Sequence, residues 1–230
     1  MNARNIVLLG ESGVGKSSII NMVSGTQTTK TSNNVLGDGS KVECYVVTES
    51  GLRINFWEMK GFAGDVGVAP TRLLQVLKTI VRRLLVFGSI DLLILCMRSG
   101  RITNTIVQGY HAIYVEACAR RVPIALVVNG LERSPDLNMH GWWARNKDGI
   151  LNHGLAFDIH VCVTTLRSDE DSSVGEKIKV SQRRLRELVK LPDYFGLPHD
   201  QVCPGSETSQ TCVTSSISFY ELTPEDIVVL

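Results

Sequence analysis

Residues 5 to 20 read Asn-Ile-Val-Leu-Leu-Gly-Glu-Ser-Gly-Val-Gly-Lys-Ser-Ser-Ile-Ile, and Gly10, Gly15, Lys16 and Ser17 have the spacing G-x-x-x-x-G-K-S. That spacing builds a cradle for a polyphosphate. Gly10, Gly13 and Gly15 lack a Cβ, so the backbone can take positive φ and press its N–H groups against phosphate oxygens. Lys16 would bridge the β and γ phosphates as a point charge, and the Ser17 hydroxyl would ligate a Mg²⁺ held by the same phosphates. A helix starting near Lys16 adds the positive end of its dipole. The candidate binding residues are therefore Gly10, Glu11, Ser12, Gly13, Val14, Gly15, Lys16, Ser17 and Ser18. A glycine-rich turn with no ligand is the plainer alternative. The apolar run Ile6 to Leu9 before the loop and the helical stretch Ser17 to Val23 after it favour a bound nucleotide.

These residues need a scaffold, and the chain supplies alternating elements. Asn5 to Leu9 predicts a first strand, and the glycine loop leads into a helix to about Val23. Ser24 to Ser40 is polar, has no hydrophobic period and reads as a mobile loop. Val42 to Thr48 and Leu52 to Trp57, joined by Glu49-Ser50-Gly51, predict a β-hairpin. A second glycine-rich loop (Gly61, Gly64, Gly67) precedes a helix over 70 to 87. Ile90 to Met97 and Ile124 to Val128 read as buried parallel strands around a helix over 103 to 120. A short helix over 137 to 151, a strand over 159 to 163 and a helix over 175 to 191 complete the domain. The Ser- and Thr-rich stretch that follows predicts an extended or partly disordered tail. The division is thus a domain over 1–191 and a C-terminal extension over 192–230. Strand–helix alternation with one early hairpin predicts a three-layer α/β domain with the ligand at the carboxyl ends of the parallel strands.

Composition narrows the class. With 24 Lys and Arg against 23 Asp and Glu the net charge is +1, so the chain exerts no general pull on nucleic acid or anionic lipid. Nucleic acid is not an expected partner. The six cysteines show no C-x-x-C pairing and several lie in apolar runs, which predicts reduced core thiols. The five histidines lack zinc-site spacing. The longest apolar stretch, Leu84 to Met97, contains Gly88 and Asp91 and is too short to cross a bilayer. No signal segment or lipidation box is visible. A cytoplasmic location is the expectation.

The order of phosphate loop, polar segment, hairpin and glycine loop resembles that of a GTPase domain. More narrowly, the chain is similar to septin-like and immune-associated GTPases, and especially to short G-domain proteins common in fungi. That resemblance rests on Gly-Glu-Ser-Gly-Val-Gly-Lys-Ser-Ser, Cys96-Met97-Arg98 and the Trp142-Trp143 pair, and spans roughly residues 5 to 190. It implies a three-layer P-loop fold with a mostly parallel sheet and one antiparallel edge strand. It also implies GTP/GDP and Mg²⁺ binding, slow hydrolysis, homodimerisation across the nucleotide face and a protein effector.

Further residues follow from matching the family's motifs. Its D-x-x-G aligns with Glu58-Met59-Lys60-Gly61. Glu58 would hold a Mg²⁺-bound water or, alternatively, merely end an edge strand, while the Gly61 N–H would sense the γ phosphate on the catalytic side. Its base-selecting N/T-K-x-D aligns with Asn129-Gly130-Leu131-Glu132. The Glu132 carboxylate would accept the N1 and N2 donors of guanine, which adenine cannot offer, with Asn129 bracing the loop and Gly130 replacing a base-covering lysine. An ordinary surface loop is the alternative. A last base-side loop would fall at Thr164, Thr165 and Leu166, where a backbone N–H meets the guanine carbonyl. The threonine that should face Mg²⁺ has only Thr31, Ser32 and Ser40 as imperfect substitutes near Gly39. Phe62 stands where Ras-like enzymes place a water-orienting glutamine. An arginine supplied by a partner or second subunit could compensate; Arg98 and Arg101 are candidates by their nearness to a strand end, with salt-bridging surface arginines as the plainer alternative. Of Trp142 and Trp143, one is expected buried and one half-exposed.

Overall fold

In the computed structural model the described residues are 3–25, 29–31, 42–60, 70–87, 89–166 and 172–191. All of them lie in one compact unit, Met1–Phe195. The expected C-terminal extension falls outside the described residues, as do Gly61, Phe62, Ser32, Gly39 and Ser40.

Among the described residues seven strands form one sheet in the order β2-β3-β4-β1-β5-β6-β7. They are β1 (Arg4–Leu9), β2 (Thr29–Thr31), β3 (Val42–Glu49), β4 (Leu52–Met59), β5 (Leu92–Arg98), β6 (Ile124–Asn129) and β7 (Ile159–Cys162). The pairings β4–β1, β1–β5, β5–β6 and β6–β7 are parallel, and β3 is antiparallel to both of its neighbours. The sheet is therefore mostly parallel with one antiparallel strand, as the hairpin requires. Ser50 (φ 51°) and Gly51 (φ 82°) both take the left-handed conformation of a two-residue hairpin turn, so the strands run to Glu49 and from Leu52. Three residues of the segment expected as a loop, Thr29–Thr31, instead pair with Val46, Tyr45 and Cys44 along the outer edge of β3. Backbone pairing to an open edge needs no hydrophobic period, which is why the pattern gave no sign of this strand.

The central strands bury both faces, and their alternation divides the core in two. Val7, Leu9, Leu93, Leu95, Ile124 and Leu126 share one apolar cluster with residues of α2 (Pro70–Phe87), α3 (Asn104–Tyr110) and α4 (Gly141–Asn152). Ile6, Leu8, Leu92, Ile94, Ala125 and Val127 share the other with α1 (Lys16–Ser24) and α5 (Ser172–Leu188). This is the three-layer arrangement expected of alternating strands and helices. The helix anticipated over 103 to 120 widens after Tyr110 into a π-helical segment, His111–Ala117, with the Cys118 N–H donating to the Ile113 carbonyl. There the Tyr110 ring packs on Tyr114 and Phe157 at 5.1 and 5.6 Å between centroids. Trp142 and Trp143 are both half-buried, and Trp143 stacks on His160 at 3.9 Å. Among the described residues no helix is long and apolar enough to cross a membrane.

Candidate functional site

The exits of β1, β4, β5, β6 and β7 all point to one end of the sheet, because those five strands are parallel. Gly10 leaves β1 with φ 143°, and a Cβ there would stand 2.3 Å from the Cys96 carbonyl oxygen on β5. Gly13 and Gly15 follow at φ 77° and 98°. Ser12 and Gly13 are exposed, whereas Val14 is buried and anchors the loop in the core. Gly15 caps α1 and no side chain satisfies the helix's first N–H groups, which include those of Ser17 and Ser18. The result is an uncapped, glycine-lined helix start facing solvent, the geometry an anion fits.

Lys16 folds over this loop, its Nζ donating to the Gly10 carbonyl at 3.1 Å and the Glu11 carbonyl at 2.9 Å. Burial lowers its pKa, while the fields of Cys96, Glu58 and Glu11 oppose that shift. Burial also pushes the Cys96 thiol up to about 12, so Cys96 is uncharged at neutral pH and the real support comes from the two carboxylates. Glu11 is itself held by the Thr103 hydroxyl at 2.6 Å, and Thr103 also caps α3 through the Ile106 N–H. An N-cap threonine before a helix is visible in sequence; its reach to the loop is not.

Ser17 and Glu58 meet, although they are far apart in the chain. The Ser17 hydroxyl lies 2.8 Å from each oxygen of the Glu58 carboxylate, which is buried at 8% exposure. Both are hard oxygen donors of the kind Mg²⁺ selects. An octahedral ion with bonds of about 2.0–2.1 Å places neighbouring oxygen ligands about 2.9 Å apart, so the observed separation fits the ion. The extra methylene of Glu58 relative to aspartate thus delivers the carboxylate to Ser17 rather than carrying it away. Around it stand two residues the sequence did not single out. Glu43, opposite Glu58 in register, accepts from the Tyr45 hydroxyl at 2.7 Å and pairs with Lys60 at 2.9 Å. Burial, then the bond to Glu43 and the charge of Glu58, raise the Tyr45 phenol above its ordinary pKa, so it stays a proton donor beside the two carboxylates. Their spacing of two on a strand was the available signal.

On the far side, Asn129 joins three segments. Its Nδ2 donates to the Val14 carbonyl and to the Thr165 hydroxyl, both at 2.9 Å, and its Oδ1 accepts from the Gly130 and Thr165 amides at 2.8 and 3.1 Å. Asn129 therefore ties the phosphate loop to the loops that follow β6 and β7. The Thr165 N–H, expected to be free for a ligand, is spent on Asn129, and that of Thr164 on the Ser181 hydroxyl at 3.0 Å. Thr165 is a brace rather than a free donor. The Leu166 amide, 3.4 Å from the Thr164 hydroxyl, is the most weakly held of the three. The half-buried Glu132 carboxylate has one weak contact, 3.5 Å from the Thr164 hydroxyl, and can still accept a ligand's donors. Its backbone is fixed by buried Lys177, which donates to the Glu132 carbonyl at 2.9 Å. Nothing in the sequence pairs Lys177 with that loop. Gly130 takes φ 84°, as its place in the turn requires.

Residues 5–130, more than half of the chain, match the family model described as 50S ribosome-binding GTPase. The chain belongs to this GTPase family. Membership implies guanine-nucleotide binding. No curated protein matches this GTPase in sequence. Among solved structures it is similar to a dimerisation-deficient mutant of Toc33 from Arabidopsis thaliana, at 17% identity and TM-score 0.56, covering 84% of this chain and 86% of that one. A structure of the chloroplast translocon components atToc33 and psToc159, described for the importance of dimerisation to GTPase activity, matches at 18% identity and TM-score 0.52 over 79% and 84%. A bacterial selenocysteine-specific elongation factor matches at 14% identity and TM-score 0.50 over 82% of this chain and 29% of its own. At these identities the likeness concerns the fold.

Proposed function

We propose that this GTPase binds GTP and GDP with Mg²⁺, hydrolyses GTP slowly, and acts as a conformational switch or nucleotide-dependent assembly module. The observation that carries this reading is the convergence of the Ser17 hydroxyl and the Glu58 carboxylate beside the Lys16 ammonium. The amides of residues 11 to 18 bind the phosphates, and Lys16 turns its charge onto the β and γ oxygens. Ser17 and Glu58 hold Mg²⁺, which when bound neutralises charge developing on those oxygens. Glu132 accepts the guanine N1 and N2 donors, Asn129 sets the distance between phosphate and base with Thr165 as its brace, and the weakly held Leu166 amide meets the guanine carbonyl. Gly61 reads the γ phosphate, and residues 26 to 40 and 61 to 70 are the segments an effector would see. Self-association across the nucleotide face is part of this reading, and dimerisation is described as important for GTPase activity in the chloroplast translocon components atToc33 and psToc159. A cytoplasmic location and a place in the septin-like and immune-associated branch belong to the same reading.

Titration calorimetry with GDP, GTP and ATP in Mg²⁺ tests it. Guanine nucleotides should bind, ATP should bind far more weakly, and Lys16→Ala should abolish the heat; equal binding of ATP and GTP would overturn the assignment of Glu132. One observation favours a second reading, a pseudo-GTPase interaction scaffold: Phe62 follows Gly61 and cannot hydrogen-bond a water. Phosphate release at the buffer background despite tight GTP binding would select the scaffold.

A further inference from the structure

Gly130 stands where the family's base-selecting motif carries a lysine whose stem covers the base, and the space beside it is taken. A Cβ built on Gly130 would lie 3.1 Å from Cγ and 3.2 Å from Nε of Arg98, the last residue of β5. Arg98 is paired in register with Asn129 on β6. Its position is locked by the next residue, because the Ser99 N–H donates to the Asn129 carbonyl at 2.7 Å and the Ser99 hydroxyl to the Gly130 carbonyl at 2.8 Å. The Arg98 side chain is exposed, and its guanidinium makes no hydrogen bond or ion pair with any of the described residues. The backbone of Arg98 is thus anchored at the rim of the loop that carries Glu132, and its planar, weakly hydrated guanidinium stands beside Gly130 with its donors unused.

We infer that Arg98 is a base-covering residue, stacking its guanidinium on the guanine face in place of the motif lysine. The inference rests on the nucleotide reading above and adds the group that holds the base from one side. Guanidinium groups stack on aromatic faces as both cation and plane, which a lysine stem cannot do. Glycine at 130 is then a matched change, since the motif lysine and Arg98 would compete for one volume. Stacking acts on the base alone, so it strengthens binding of a nucleotide and leaves a bare polyphosphate unaffected.

The experiment compares GDP and inorganic pyrophosphate, each with Mg²⁺, by titration calorimetry on the native chain, Arg98→Ala, Arg98→Met and Arg121→Ala. Arg98 is exposed, so its variants should keep the native circular dichroism spectrum and melting temperature. Arg98→Ala should weaken GDP about 5- to 30-fold, the range of a partly desolvated cation–π contact, with pyrophosphate affinity unchanged. Arg98→Met, which keeps the stem and loses the plane and charge, should recover only part of that loss. Arg121→Ala removes the same charge from an exposed site beyond the π-helical segment and should match the native chain. Native GDP affinity in Arg98→Ala overturns the proposal, as does a parallel loss for pyrophosphate, which would place the cation on the phosphates. A native chain that binds pyrophosphate but not GDP removes the guanine reading and this inference together. Failure confined to Arg98→Ala leaves the guanine reading standing.

Discussion

Replacing Asn129 tests whether the phosphate and base loops are one mechanical unit before any ligand arrives. Its buried amide makes four hydrogen bonds, to the Val14 carbonyl, the Thr165 hydroxyl, the Gly130 amide and the Thr165 amide. Each is worth about 1 kcal/mol net, and Asn129→Ala forfeits all of them while leaving their partners in a site with little room for water. Rehydration at the rim, where Thr165 is half-buried, limits the total to about 3 kcal/mol. For a unit of this size about 2–4 °C of melting temperature is lost per kcal/mol, so the ligand-free variant should melt about 6–12 °C lower. Asn129→Asp sharpens the test. It keeps an acceptor for the two amides but turns a carboxylate oxygen toward the Val14 carbonyl, acceptor against acceptor at 2.9 Å in the native geometry. Calorimetric melting of the ligand-free chain reads both. If both variants melt within about 2 °C of the native chain, Asn129 is not the brace described here.

Ser17→Ala and Glu58→Gln should each shrink the ratio of GDP affinities measured in Mg²⁺ and in EDTA by about tenfold or more; an undiminished ratio would remove both from the metal site. Gly10→Ala places a Cβ 2.3 Å from the Cys96 carbonyl at φ 143°, a backbone clash between β1 and β5 that should lower urea stability by about 3 kcal/mol. A native urea midpoint would show that the strands yield freely. Burial first, then His140, Arg184 and Lys147, lower the pKa of His160 from 6.5 to about 4, so the unfolded chain binds the proton more readily. Stability is therefore complete above pH 6.5 and falls as pH drops toward 4. His160→Gln should lose about 1 kcal/mol less than the native chain between pH 7 and pH 5, after allowance for solvent screening of a half-buried ring. Equal losses in urea titrations at the two pH values would count against the stacked, neutral imidazole.

Much of the scaffold was legible because its signals are local. The run Ile6 to Leu9, Lys16 and Ser17 after three glycines, and the turn at Ser50-Gly51 each announce an element within a few residues. The extent of α2 also followed from its pattern, from Pro70 to Phe87. Less legible were features that depend on the neighbouring strand. Thr29–Thr31 became a strand because β3 had an open edge, and the helix after Thr103 widened where Tyr110, Tyr114 and Phe157 pack together. In the site, the gathering of Lys16, Ser17 and Asn129 at one end of the sheet could be read from motif spacing. The donor role of the Thr165 amide could not, because a side chain from β6 had already claimed it.

Residue types along the first strand, loop and helix were enough to define a polyphosphate cradle, since glycine's freedom, a lysine's charge and a hydroxyl's oxygen act within one short stretch of chain. Only the folded sheet decided what surrounds that cradle. Parallel strands bring Glu58, Arg98 and Asn129 to one end from positions 40 residues and more along the chain from Ser17. Whether a carboxylate reaches a hydroxyl, or an arginine fills the place of a missing lysine, is set by strand order and register, which no local spacing encodes.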